Sequence, residues 1–209
     1  MCSWGVAPLR IYQLCKSNAT INPFNHFIDY LHEKNALNKE ELEIFGGIGR
    51  EFINVLETTG MSKSYKMPLL LAFYNNGNIK MRITEDDVYH SFYEFYYKGT
   101  NRIDMLKDKS TENFEKWDKK HYLQLAKSNP VHYIKESSKG YFVDEPGYVL
   151  ALNSQLENVI DKEEFKKHMK DVIDYESWII LKQGIPRNRN QFNQLNKQRI
   201  KGRIHYGVI

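Results

Sequence analysis

Three groups of residues could do chemistry on a phosphate-bearing ligand. The first is the turn Gly46-Gly47-Ile48-Gly49-Arg50. Gly47 and Gly49 permit a tight bend, the first amides of the following helix lack intrahelical partners, and Arg50 can add a charge-assisted contact. The second is a lysine-rich stretch with Lys116, Lys119, Lys120 and Lys127, followed by Lys135 and Lys139. Glu112, Glu115, Asp118 and Glu136 lie among these lysines, so the same stretch fits a solvated helix face. The third is residues 182–209, where Lys182, Arg187, Arg189, Lys197, Arg199, Lys201 and Arg203 occur without one acid. Such a segment attracts phosphate in a salt-sensitive, sequence-independent way. Its interleaved Asn and Gln residues, Asn188 to Gln198, could hydrogen-bond bases or backbone.

Catalytic groups are sparse. His26 and His32 are six residues apart, a poor spacing for one helix face and one metal, and the other histidines are isolated. Glu57, Asp104 and Lys107 do not form the strand-borne acidic pattern of a nuclease. Ser62 and Ser64 lack a Ser-x-x-Lys spacing to Lys66, and Cys15 has no nearby histidine. The chain is therefore expected to be non-catalytic, with no metal site and no cofactor. The alternative enzyme reading is a small metal-dependent nuclease or defence effector whose site is assembled from distant acids and histidines.

Composition places these groups in context. The 209 residues are 41% hydrophobic, enough for one core or two small ones. The net charge of +4 divides unevenly: residues 1–181 carry −3 and residues 182–209 carry +7. No apolar run approaches the roughly 18 residues of a membrane span, and the first residues do not read as a signal peptide. Two cysteines, Cys2 and Cys15, make a disulfide framework or a Cys-based zinc site improbable and suggest a reducing, cytoplasmic setting.

The periodicity predicts the elements that would position the candidate groups. Helices are expected over Pro23–Asn35, Asn38–Phe45 with an Asn38/Glu41 capping box, Arg50–Thr58, and the almost wholly apolar Ser64–Tyr74. Ile79, Met81 and Ile83 alternate as a short strand, and Thr84 caps a helix with the stripe Val88, Phe92, Phe95 and Tyr96. A charged helix is expected over Thr111–Asn129 and a short one over Pro130–Ser137. A β-hairpin follows around Asp144-Glu145-Pro146-Gly147, then a last amphipathic helix from Asp161 through Phe165, Met169, Val172 and Ile173. The expected fold is mainly α within the α+β class, a helical bundle with one small hairpin. Its divisions are residues 1–60, 61–181 and a basic tail at 182–209.

Two resemblances add a functional expectation. Leu42, Phe45, Gly47, Ile48, Gly49, Ile53 and Leu56 occupy the positions of the helix-hairpin-helix motif found in non-sequence-specific DNA-binding proteins. Gly46 replaces the usual proline and Ile53 a usual small residue. Ser62-Lys-Ser-Tyr-Lys66 leading into a Leu-rich helix, Phe92 to Tyr96, Asn129-Pro130 and the aromatic hairpin at Tyr141-Phe142-Val143 resemble a winged-helix-type module. That module accompanies bacterial superfamily II (DEAD/DEAH) helicases and restriction-type proteins, and the similarity spans residues 44–155. No Gly-x-x-x-x-Gly-Lys-Ser/Thr loop or Asp-Glu-Ala-Asp/His box of the helicase motor is found. The resemblance implies a nucleic-acid-binding accessory module, with DNA as the expected ligand and a helicase or nuclease as a candidate protein partner. In a third reading, Tyr93, Tyr96, Tyr97 and Tyr133 form an aromatic surface that docks onto such a partner.

Overall fold

A computed structural model describes residues 27–59, 63–75, 77–97 and 99–184. The helices are α1 (Phe27–Glu33), α2 (Lys39–Phe45), α3 (Ile48–Thr58), α4 (Lys66–Phe73), α5 (Glu85–Tyr97), the single turn α6 (Ile103–Leu106), α7 (Lys119–Ser128), α8 (Pro130–Ser137), the single turn α9 (Glu157–Ile160) and the long α10 (Glu163–Gly184). Five short strands accompany them: β1 (Tyr74–Asn75), β2 (Asn78–Ile79), β3 (Arg82–Ile83), β4 (Phe142–Val143) and β5 (Leu150–Leu152). The mainly α, α+β architecture is as expected.

Helix α4 organises the rest. Its sequence KMPLLLAF is apolar on every side, and all of it except Leu71 is buried. A helix of that composition must be surrounded, and α5, α8, α10, β1 and β3 pack around it. Helix α5 meets it with Val88, Phe92, Phe95 and Tyr96, all buried. Helix α10 contributes Phe165, Met169, Val172 and Ile173, each buried, and also contacts α2 and α3. One continuous core runs from Ile28 to Ile173, across both the 1–60 and 61–181 segments.

The termini of the helices follow local rules. Asn38 and Glu41 form the capping box: the Glu41 amide donates to Asn38 Oδ1 at 2.9 Å, and the Asn38 amide donates to Glu41 Oε2 at 2.8 Å. At α5 the Asp87 amide donates to Thr84 Oγ1, and the Thr84 amide donates to Asp87 Oδ2. Each pair satisfies amides that the helix itself leaves unbonded.

β4 and β5 are the arms of the expected hairpin, pairing Phe142 with Leu152 and Val143 with Ala151. Gly147 supplies the left-handed backbone, φ +87°, in the turn. The free edge of β5 pairs with β3, giving a three-stranded order β3-β5-β4. The stretch expected as one strand, Ile79–Ile83, is divided. Ile79 pairs with Tyr74 in the β1–β2 hairpin, whereas Ile83 pairs with Leu150.

The helix expected over Thr111–Asn129 is also divided. Phe114–Lys116 forms one 3-10 turn, Trp117 is extended, and α7 starts at Lys119 behind Asp118. The Asp118 carboxylate accepts the His121 amide at 3.1 Å, so a residue read as a mid-helix acid is an N-cap. Helix α10 continues past Lys182 to Gly184. Among the described residues, no helix is long and apolar enough to cross a membrane.

The Gly46–Arg50 turn joins α2 to α3 and leaves no room for a side chain at Gly49. A Cβ placed on Gly49 would lie 2.9 Å from Val159 Cγ1 and 3.0 Å from Ile44 Cγ2. Both neighbours are buried, branched side chains with little room to give way. Gly49→Ala is therefore expected to destabilise the fold by about 1–3 kcal/mol, measured as a lower urea midpoint with an unchanged slope.

Candidate nucleic-acid interface

The helix-hairpin-helix-like turn has several of its groups already engaged within the fold. The Gly46 amide donates to Leu42 O and the Gly47 amide to Ile44 O, while the Arg50 amide returns to Gly47 O. Gly49 is buried and Gly47 is exposed as the cap residue of α3. The Arg50 guanidinium grips Asp29 on α1 with two nitrogens, Nε donating to Oδ1 at 2.7 Å. Glu43, on the same corner, is held by Lys162. The arginine proposed to meet phosphate thus ties α3 to α1 through a bidentate pair.

The lysines divide in two. Lys119 donates to Asp86 and Lys127 to Glu85, each at 2.7 Å, so α7 grips the acidic first turn of α5. Those hydrogen bonds and charges hold Asp86 and Glu85 below their ordinary carboxylate pKa, and raise that of Lys119. Lys135 donates to both oxygens of Asp144 at 2.8 Å, and Arg82 to Glu145 at 2.5 Å, which neutralises the acidic hairpin tip. Exposed pairs of this kind add little stability, but they set the field: their cations are locally compensated. Lys116 and Lys120 differ. Both are exposed, and neither makes an ion pair among the described residues. Arg187, Arg189, Lys197, Arg199, Lys201 and Arg203 lie outside the described residues.

Between α5 and α7 the structure builds an aromatic ladder. Tyr89, Tyr93 and Tyr97 recur every four residues on α5, beside the stripe that faces α4. Tyr93 and Tyr97 stack at 4.3 Å with an interplanar angle of 25°. Trp117 and His121 stack at 5.8 Å and 22°. The buried ring of Tyr122 stands edge-on between the two groups, 5.8 Å from Tyr89, 6.3 Å from Tyr93 and 5.4 Å from Trp117. Tyr97 also donates to Glu115 O at 2.9 Å. Tyr93 is 38% exposed and Tyr97 44%. Tyr96, grouped with them as a surface residue on sequence grounds, is buried and edge-on to Tyr65. Tyr133 is exposed on α8.

Several of the scattered acids and histidines among the described residues have structural partners. His168 Nε2 lies 3.1 Å from Glu41 Oε1 in a buried contact that fastens α2 to α10. Asp104 accepts the Ser64 amide at 3.0 Å and sits 3.5 Å from Lys107. Lys66 is buried at the start of α4, donating to Thr59 Oγ1 at 3.0 Å, and burial lowers its pKa. Among the described residues, no group of three or more His, Cys, Asp or Glu side chains converges on a metal position. No protein family, curated protein or solved structure matches the chain.

Tyrosine ionisation offers a test of this packing. Burial pushes Tyr122 above its ordinary pKa, with the neighbouring tyrosines adding to the shift. Burial and the 2.7 Å hydrogen bond to Glu51 push Tyr141 up to about 12. An unfolded chain releases these protons near pH 10, so the folded state binds more protons above that pH. Stability is therefore expected to fall as pH rises from about 10 towards 12. Tyr141→Phe should make that decline shallower in urea unfolding measured across this pH range.

Proposed function

We propose that the chain is a non-catalytic nucleic-acid-binding accessory module that works beside a helicase or restriction-type protein. The observation that carries this reading is the separation of charge. Arg50, Lys119, Lys127 and Lys135 are paired with acids of the same body, whereas residues 182–209 hold seven cations and no acid. A polyanion is then drawn by the basic segment, and short-range contacts come from the body. The helicase or restriction partner rests on the winged-helix-like pattern alone. A cytoplasmic setting fits the low cysteine count.

A docking role towards a protein is the second reading, favoured by the exposed Tyr93, Tyr97 and Tyr133. The two readings differ in salt dependence. If Arg187, Arg189, Lys197, Arg199, Lys201 and Arg203 all meet phosphate on a single strand, log K falls against log salt with a slope of about −4. Replacing the six with Gln in the full chain should flatten most of that slope in a fluorescence-anisotropy titration. Absence of binding at low salt would remove the nucleic-acid reading and leave the docking one.

A further inference from the structure

We infer that the ladder of Tyr93, Tyr97, Trp117 and His121 is a base-stacking platform, and that the preferred ligand is single-stranded nucleic acid. The inference rests on the nucleic-acid reading above and specifies which form is bound and where.

The ladder arises from the sequence of α5. Val88, Phe92, Phe95 and Tyr96 satisfy the need to cover α4. Tyr89, Tyr93 and Tyr97 form a second stripe: Tyr89 packs partly buried against the core, whereas Tyr93 and Tyr97 touch buried Tyr122 and Phe114 with one edge and stay exposed. Helix α7 covers it only in part: Tyr122 is buried against it, while Tyr93 and Tyr97 keep more than a third of their surface in water. Two stacked pairs, Tyr93–Tyr97 and Trp117–His121, flank the Tyr122 ring. Isolated exposed tyrosines are ordinary, but a contiguous group of rings marks an interaction surface.

Charge selects the occupant. Lys116 and Lys120, the chain neighbours of Trp117 and His121, are exposed and unpaired among the described residues. The nearby acids are mostly engaged: Glu115 with Arg102, Asp118 with His121, and Asp86 with Lys119. Glu94, exposed next to Tyr93, has a partner of its own, and Glu112 is a further exposed acid four residues before Lys116. Aromatic faces bordered by cations suit bases whose own faces are free, and such stacking tolerates any sequence. A duplex hides those faces and presents a dense phosphate surface. The body meets that surface poorly, because Arg50, Lys119, Lys127 and Lys135 already hold carboxylates.

The test titrates the full-length chain with a fluorescent thymidine oligonucleotide and with a duplex of equal length, by anisotropy. The variants are Tyr93→Leu/Tyr97→Leu, which keeps apolar bulk without aromatic faces, and Tyr93→Phe/Tyr97→Phe, which keeps the faces. Circular dichroism and a thermal melt check that each folds. The expected result is tighter binding of the single strand, weakened at least about fivefold by the Leu pair and retained by the Phe pair. Equal single-strand affinity in the Leu pair would overturn the platform while leaving nucleic-acid binding intact. No binding of either probe would overturn both. Self-association of the wild type that the Leu pair abolishes, with oligonucleotide affinity unchanged, would assign the ladder to a protein contact and overturn the inference.

Discussion

Everything in this fold follows from the need to enclose α4. Seven successive apolar residues, Met67 to Phe73, spread around every side of a helix cannot lie on a surface, so the chain supplies cover around them. Helices α5, α8 and α10 and strands β1 and β3 all pack against it. Lys66 is buried because it begins this helix, and its amine donates to the hydroxyls of Thr59 at 3.0 Å and Ser137 at 3.5 Å. Fully buried rings, including Phe73, Phe92, Tyr96 and Phe165, fill the space between the layers. Burying rings of this size contributes a few kcal/mol each, which outweighs the surface ion pairs.

That enclosure decides which chemistry remains available. Elements that wrap α4 must also be held to one another at the surface, and the body uses its charged side chains for that task. Arg50 joins α3 to α1, Lys119 and Lys127 join α7 to α5, and Lys135 joins α8 to the hairpin. The glycine turn has the same character: Gly49 is there to let α2 and α9 approach α3. Residues of the motifs that suggest phosphate binding also act here as joints. Among the described residues, Lys116 and Lys120 make no such joint, and in sequence they adjoin the stacked Trp117–His121 pair, in the layer that carries the exposed rings of α5.

Much of the architecture is legible in the residues. The capping boxes at Asn38 and Thr84, the inward stripe of α5, Pro130 at a helix start and the hairpin at Gly147 are local patterns with local causes. The division at Trp117 is less so, because Lys, Glu and Asp around it read as good helix. Only the docking of Trp117 beside Tyr122 and the capping by Asp118 reveal the break. The partners of Arg50, Lys119 and Lys127 are 21, 33 and 42 residues distant, and no spacing rule reaches that far. The ladder is intermediate. Its four-residue tyrosine repeat is visible, but the contribution of Trp117 and His121 depends on how α7 is laid against α5.

The platform proposed above puts ligand contact on the body at the α5–α7 ladder and not at the glycine turn. The most direct measurement is a map of backbone amide chemical shifts on adding a single-stranded oligonucleotide to the full chain. Shifts concentrated at Tyr93, Tyr97 and Lys116 to His121, with Gly46 to Arg50 unmoved, are the predicted result. Shifts centred on Gly46 to Arg50, with the ladder silent, would contradict it.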